Sequence, residues 1–266
     1  RDEAFNQSRR DFIEVVYYKE YSQCLGREME WKRYGSKGRP VLFIPCQNGR
    51  FYDFENYQMA DVWAPWINSG QVMVFSADTI DQETWSKTDG DPRSRILRHE
   101  SWVFYLTREL APRIREIANQ LNGWEGYPFI LITGLSLGAF HAANLYFRFP
   151  DIFDGLMALS GIYSASFSFG TYHDDLVDAN SPVDYLARMP KDHPFINWYN
   201  QKKTIICTGQ GPWEIPDCTR QLDRVLAEKG IHAWVDYWGY DCSHDWPWWY
   251  KQTAYFVPYL LGQRSD

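Results

Sequence analysis

A short, uninterrupted apolar run, Phe129 to Thr133, passes through Gly134-Leu135-Ser136-Leu137-Gly138 straight into a helical stretch from Ser136 to about Phe147, which Pro150 ends. Few architectures join a strand to a helix with no loop between them. A run that is apolar at successive positions reads as a strand covered on both faces, which is the habit of parallel sheets flanked by helices. The pattern recurs along the chain. Val41 to Ile44, Val72 to Phe75, Leu156 to Leu159, Thr204 to Thr208 and Ala233 to Tyr237 read as strands, and Phe12 to Tyr18 with Met29 to Tyr34 as an antiparallel edge pair. Arg93 to Leu121 reads as helical, divided or kinked at Pro112, and Thr219 to Glu228 as a helix closed by Gly230. Alternation of this kind predicts an α/β fold: a mostly parallel central sheet with helices on both faces, antiparallel strands at its N-terminal edge, and sites at the carboxyl ends of the strands. No repeat, low-complexity tract or Gly/Pro-rich linker interrupts the 266 residues, so the chain reads as one domain, 1–266. Tyr163 to Lys203 departs from the pattern. It is polar, aromatic and irregular, and so long an insertion is expected to serve as a lid or pocket wall.

Composition narrows the function. The formal charge is −7, with no basic run to follow a phosphate backbone, which argues against nucleic acid as a partner. No apolar stretch approaches the ~18 residues of a membrane span. The residues Arg1 to Arg10 are charged rather than signal-like, while the missing initiator Met points to trimming. The cysteines Cys24, Cys46, Cys207, Cys218 and Cys242 are odd in number and scattered, so reduced thiols and a cytoplasmic location are expected. Homo-oligomerisation is left open. The 13 Trp, 18 Tyr and 16 Phe supply rings for a core and for pocket walls.

Gly-x-Ser-x-Gly between a strand and a helix is the nucleophile elbow, in which flanking glycines let the chain turn sharply enough to expose the serine hydroxyl. A serine needs a base, and the base an orienting acid, here in the chain order Ser, acid, His. His99 precedes Ser136, His141 lies in the helix after it, His173 and His193 fall in the irregular insertion, and His232 opens a strand. His244 remains, in a polar loop beyond the last strand. The acid is expected from the loop 208–217, where Glu214 is preferred and Asp217 is the alternative, since an Asp directly before a helical run suits a cap. The backbone N–H of Leu137 and, from the loop after the strand VLFIP, that of Gln47 are the expected oxyanion donors, with Cys46 and Asn48 close behind. Cys46 itself reads as a packing residue, because nothing basic nearby would lower its pKa.

The elbow, the run RFPDIFDGLMALSG from Arg148 to Gly161 and the pattern REL-AP-RI from Arg108 to Ile114 together resemble the α/β-hydrolase "putative esterase" family, which includes S-formylglutathione hydrolases, feruloyl esterase domains and mycolyltransferases. The resemblance spans about Arg39 to Leu261. It implies an α/β-hydrolase fold and a serine-dependent carboxylic ester hydrolase that works without cofactor through an acyl-enzyme, with Ser136, His244, an acid in the Glu214 loop and an oxyanion amide near Gln47. The family's usual His-Gly is replaced here by Cys46-Gln47-Asn48-Gly49, and the candidate acids come late after their strand. An acyltransferase using the same residues and a non-catalytic ligand-binding homologue are the competing readings. A metal site at His173-Asp174-Asp175 is disfavoured, because it lacks helical ligand spacing. The expected partner is a small-molecule ester.

Overall fold

The computed structural model describes residues 12–265. Among these residues eight strands, β1 (Val15–Ser22), β2 (Arg27–Tyr34), β3 (Arg39–Ile44), β4 (Val72–Ser76), β5 (Ile130–Leu135), β6 (Phe153–Leu159), β7 (Lys203–Thr208) and β8 (Trp234–Tyr237), form one sheet in the order β1-β2-β4-β3-β5-β6-β7-β8. β1 and β2 pair antiparallel, as do β2 and β4, and every later pairing is parallel. The burial of each strand follows its place: β4 and β5 are buried at every position, whereas β1, on the edge, alternates exposed and half-buried residues. Pleating sends alternate side chains into two apolar clusters. Leu42, Ile44, Ile130, Ile132 and Leu156 enter one, and Val41, Phe43, Leu131, Met157 and Ile205 the other.

The chain places β4 on one side of β3 and then β5 on the other. The carboxyl ends of β3 and β5 therefore adjoin at a point where the winding reverses, which is where open α/β sheets leave a crevice.

Between β3 and β4 lie α1 (Asp53–Asn56) and α2 (Met59–Asn68). Met59, Ala60, Trp63, Ala64 and Ile67 are the buried residues of α2, at helical spacing, but Pro65 stands among them and masks the helix in the sequence. Between β4 and β5, α3 (Pro92–Phe104) runs through a π-helical turn, Tyr105–Leu110, into α4 (Ala111–Asn122). Pro112 explains the widening: it has no N–H to give to the carbonyl of Arg108, and its ring excludes that carbonyl, so the preceding turn opens rather than closes. After β5 comes α5 (Leu137–Arg148), buried at every residue from Leu137 to Phe147.

The segment expected as a lid or pocket wall is not an irregular loop. It folds into α6 (Ser166–Phe169), α7 (Asp175–Ala179), α8 (Pro182–Arg188) and α9 (Pro194–Asn200). Pro182 and Pro194 occupy first-turn positions, and the Asp174 side chain accepts from the Val177 amide at 2.7 Å. Tyr163, Val183, Leu186 and Tyr199 are buried in the core, so the segment extends the apolar layer beside the sheet. Its polar sequence reflects a series of short helices, two of them capped by the side chains of Asp174 and His193. The fold closes with α10 (Pro216–Glu228) and α11 (Trp246–Leu260). Among the described residues no helix is long and apolar enough to cross a membrane.

Candidate active site

Ser136 stands between β5 and α5 with φ 58° and ψ −123°, a left-handed conformation that a serine adopts only where the surrounding structure enforces it. Close packing supplies the constraint. A Cβ on Gly138 would lie 2.3 Å from the carbonyl oxygens of both Ile44 and Pro45, so only glycine lets the start of α5 abut the end of β3. The strained turn and this contact present the Ser136 side chain above the rim of the sheet.

Two distant loops meet it there. The loop after β7 carries Glu214, and the loop after β8 carries His244. Gly211 N–H donates to the Cys242 carbonyl at 2.8 Å, and His244 N–H to the Pro212 carbonyl at 3.0 Å, so the two loops are laced together through their backbones. A Cβ on Gly209 would stand 2.4 Å from the Cys242 carbonyl oxygen, which makes a glycine there the condition for their approach. The result is a hydrogen-bonded series. His244 Nε2 lies 2.9 Å from Ser136 Oγ, and His244 Nδ1 lies 2.9 Å from Glu214 Oε2. A carboxylate accepts, so Nδ1 carries the proton and Nε2 is left to accept from the serine.

Glu214 Oε1 also accepts from Ser160 Oγ at 2.6 Å and from the Gly209 amide at 3.0 Å. Ser160, at the end of β6 with φ 60°, accepts in turn from Trp249 Nε1 at 2.9 Å. The ring of Trp249 meets the His244 imidazole edge-on, with centroids 5.0 Å apart. Sequence reasoning does not reach Ser160, and it reaches Trp249 only as part of the Trp-rich run 246–250, whose aromatics read as pocket wall or packing. The available signal was the carboxyl end of the strand beside the elbow strand for Ser160, and the Trp-rich start of α11 for Trp249.

Asp217 is elsewhere. It neither reaches His244 nor caps α10, whose cap residue is Ile215; it lies exposed in the first turn and pairs with Arg220 at 2.7 Å. The remaining histidines lie in other surroundings. His141 Nε2 is 2.8 Å from Asp81 Oδ1, Trp85 Nε1 donates to His99 Nδ1, His193 Nδ1 accepts from the Phe195 amide, and the His232 amide donates to Asn200. His173 pairs with Asp178, while Asp174 and Asp175 both bind Arg93.

Beside Ser136 and His244 opens a cavity of about 780 Å³, lined by residues 46–50, by Tyr52, Asp53, Asn56 and Tyr57, and by Trp246 and Trp249. Trp246 stacks on Tyr57 with planes 5° apart and centroids at 4.6 Å, so the start of α11 both packs and walls the cavity. Burial, with Asp53 second, pushes the Cys46 thiol up to about 12, which suits packing rather than nucleophilic chemistry. Leu137 is the first residue of α5, so its N–H has no acceptor within the helix. Gln47 lines the same cavity, and the Asn48 amide is already bonded to Asp81 Oδ2 at 3.1 Å.

A strained serine at a strand–helix turn, bonded to an imidazole that a buried carboxylate orients, on a mostly parallel eight-stranded sheet, defines the α/β-hydrolase class. Residues 22–255 match the family model described as "Putative esterase", and the chain belongs to that family, as a serine hydrolase of the carboxylesterase type. No curated protein matches the sequence. Among solved structures, a ferulic acid esterase is similar with a TM-score of 0.72 and 16% identity, over 95% of this chain and 99% of that one. An S-formylglutathione hydrolase from Agrobacterium tumefaciens is similar at 0.70 and 13%, over 95% and 96% of the two chains. MPT51 (FbpC1) of Mycobacterium tuberculosis is similar at 0.65 and 14%, over 94% and 98%. At these identities the likeness is one of fold.

Proposed function

We propose that the chain hydrolyses carboxylic esters of small molecules through an acyl-enzyme, with Ser136 as nucleophile, His244 as general base and acid, and Glu214 as the acid that orients the imidazole. The observation that carries the reading is the continuous series from Ser136 Oγ through both ring nitrogens of His244 to Glu214, with 2.9 Å at each step. Ser136 Oγ attacks the ester carbonyl carbon as its proton passes to His244 Nε2. The carbonyl electrons move to the oxygen, which receives N–H donors from Leu137 and Gln47. When the oxyanion collapses, the ester C–O bond breaks and the leaving alkoxide takes the proton from Nε2. Water then repeats the sequence against the acyl-serine, releasing the carboxylic acid and restoring Ser136. Glu214 keeps Nδ1 protonated throughout, so Nε2 is always the nitrogen that exchanges the proton.

The test is Ser136→Ala, assayed on short p-nitrophenyl esters and by fluorophosphonate labelling. Both signals are expected to vanish. Turnover at the wild-type rate in that variant overturns the assignment, and a wild-type protein that neither turns over esters nor accepts the label supports a binding role instead. Adding alcohol acceptors and measuring the ratio of transfer to hydrolysis separates an esterase from an acyltransferase.

A further inference from the structure

The two amides assigned to the oxyanion lie on segments about ninety residues apart in the chain, and only tertiary contacts fix the distance between them. One contact is the approach of Gly138 to Ile44 and Pro45. The second runs through Asp81, in a short turn after β4. Asp81 is 2% exposed; its Oδ2 accepts from the Asn48 amide at 3.1 Å, and its Oδ1 lies 2.8 Å from His141 Nε2. Asn48 follows Gln47 and has φ 58°, a conformation that a bonded amide helps to hold. His141 is on α5, five residues beyond Ser136, and is 1% exposed. One carboxyl group thus ties the loop that carries Gln47 to the helix that begins at Leu137. The same turn adds a second tether, since Gln47 Nε2 donates to Ser86 Oγ at 2.8 Å and Ser86 Oγ donates to Asn48 Oδ1 at 2.8 Å. Ser86 is itself held by its amide, which donates to the Asp81 carbonyl at 2.9 Å.

The brace bears on the transition state more than on the ground state. The carbonyl oxygen of the substrate gains negative charge only as the tetrahedral intermediate forms, so the spacing of its donors matters chiefly in the transition state. We propose that Asp81, with Ser86 from the same turn, is a positioning residue that sets the spacing of the Leu137 and Gln47 amides, with His141 holding Asp81 in place. The proposal rests on the assignment of those two amides made above.

The test uses the full chain with p-nitrophenyl acetate and a trifluoromethyl ketone, which forms a tetrahedral adduct on the serine. Asp81→Ala is expected to lower kcat by about 10- to 100-fold, a large part of what losing one oxyanion donor costs, with KM held within about threefold. Affinity for the ketone falls by a similar factor. Asp81→Asn keeps an oxygen for the Asn48 amide and recovers most of the lost kcat, a rescue that a general packing role does not predict. Ser86→Ala, which leaves the core intact, lowers kcat by a few-fold and carries the test by itself if Asp81→Ala does not fold. Unchanged kcat in the folded variants, a loss confined to KM, or an Asp81→Asn no better than Asp81→Ala overturns the proposal. Ser136→Ala is the separate control. Retained turnover there removes the underlying reading, whereas an inactive Ser136→Ala beside a fully active Asp81→Ala removes the brace alone.

Discussion

Glu214 accepts at both oxygens: from His244 through Oε2, and from Ser160 and Gly209 through Oε1. Glutamine cannot reproduce this. If its NH2 faces His244, the imidazole must take the other tautomer and Nε2 no longer accepts from Ser136. If its NH2 faces Ser160 and Gly209, it meets a backbone donor. Glu214→Gln is therefore expected to lower kcat by about 10²- to 10⁴-fold, by analogy with the orienting acid of serine proteases, whereas Asp217→Asn stays close to wild type. Steady-state kinetics of the pair decide between the two carboxylates. Ser160→Ala removes one of the three donors to Glu214 and leaves the buried Trp249 indole N–H without an acceptor. Loss of about 1–3 kcal/mol in unfolding free energy, with a several-fold drop in kcat, is expected, read by urea denaturation beside kinetics. Chain order points to Ser136, His244 and the Glu214 loop, because a strand–turn–helix motif and a loop beyond the last strand are local features, and the fold brings these three side chains within hydrogen-bonding distance in series. Ser160 and Asp81 were not legible, since their partners lie 54 residues from the one and 33 and 60 from the other.

At the scale of elements, the contact between α5 and the end of β3 is the joint on which the site depends. Gly138→Ala would place a methyl group 2.3 Å from two carbonyl oxygens, neither of which is a flexible side-chain end. Separating the elements is the only relief, so a loss of about 1–3 kcal/mol or more is expected, together with a fall in kcat out of proportion to the fraction unfolded. Thermal melts and active-site titration with a fluorophosphonate distinguish the two effects; a variant that melts like wild type and turns over normally would show that the joint tolerates the added atom. The elements themselves were largely readable. Strand cores were found where apolar residues run together, and Pro112 marks the division between α3 and α4 as its chemistry dictates. The helix α2 was not found, because Pro65 sits inside a pattern that is otherwise helical. The short helices after β6 are not legible in the sequence, because polarity and irregularity look alike whether a segment is a loop or a chain of short helices.

Across the whole molecule, a polar network lies buried between α3, α5 and α7. His99 takes the Trp85 indole N–H on Nδ1 and bonds Asn180 through Nε2; Asn180 and Arg148 both bond Glu100. Burial, reinforced by His141 and Arg148, holds His99 well below its ordinary value of 6.5. The unfolded chain therefore binds a proton that the folded chain refuses, and stability present above about pH 6.5 is lost as the pH falls below it, by up to about 1.4 kcal/mol per pH unit. Urea midpoints between pH 7 and 5 are expected to fall accordingly, and His99→Gln to flatten that fall; equal slopes in the two proteins would place the acid sensitivity elsewhere. No reading of the sequence exposed this network, since its members come from residues 85 to 180 and each looks unremarkable in its own segment. What the sequence alone determined was the class of the sheet, the serine at its strand–helix turn and the order in which base and acid follow, because those depend on local turn geometry and on the period of apolar residues. The order of the strands, the 2.9 Å approach of Glu214 to His244 and the carboxyl group that joins the Gln47 loop to α5 were decided only by the tertiary structure. Each of these is a distance between residues remote in the chain, set by packing that no local pattern encodes.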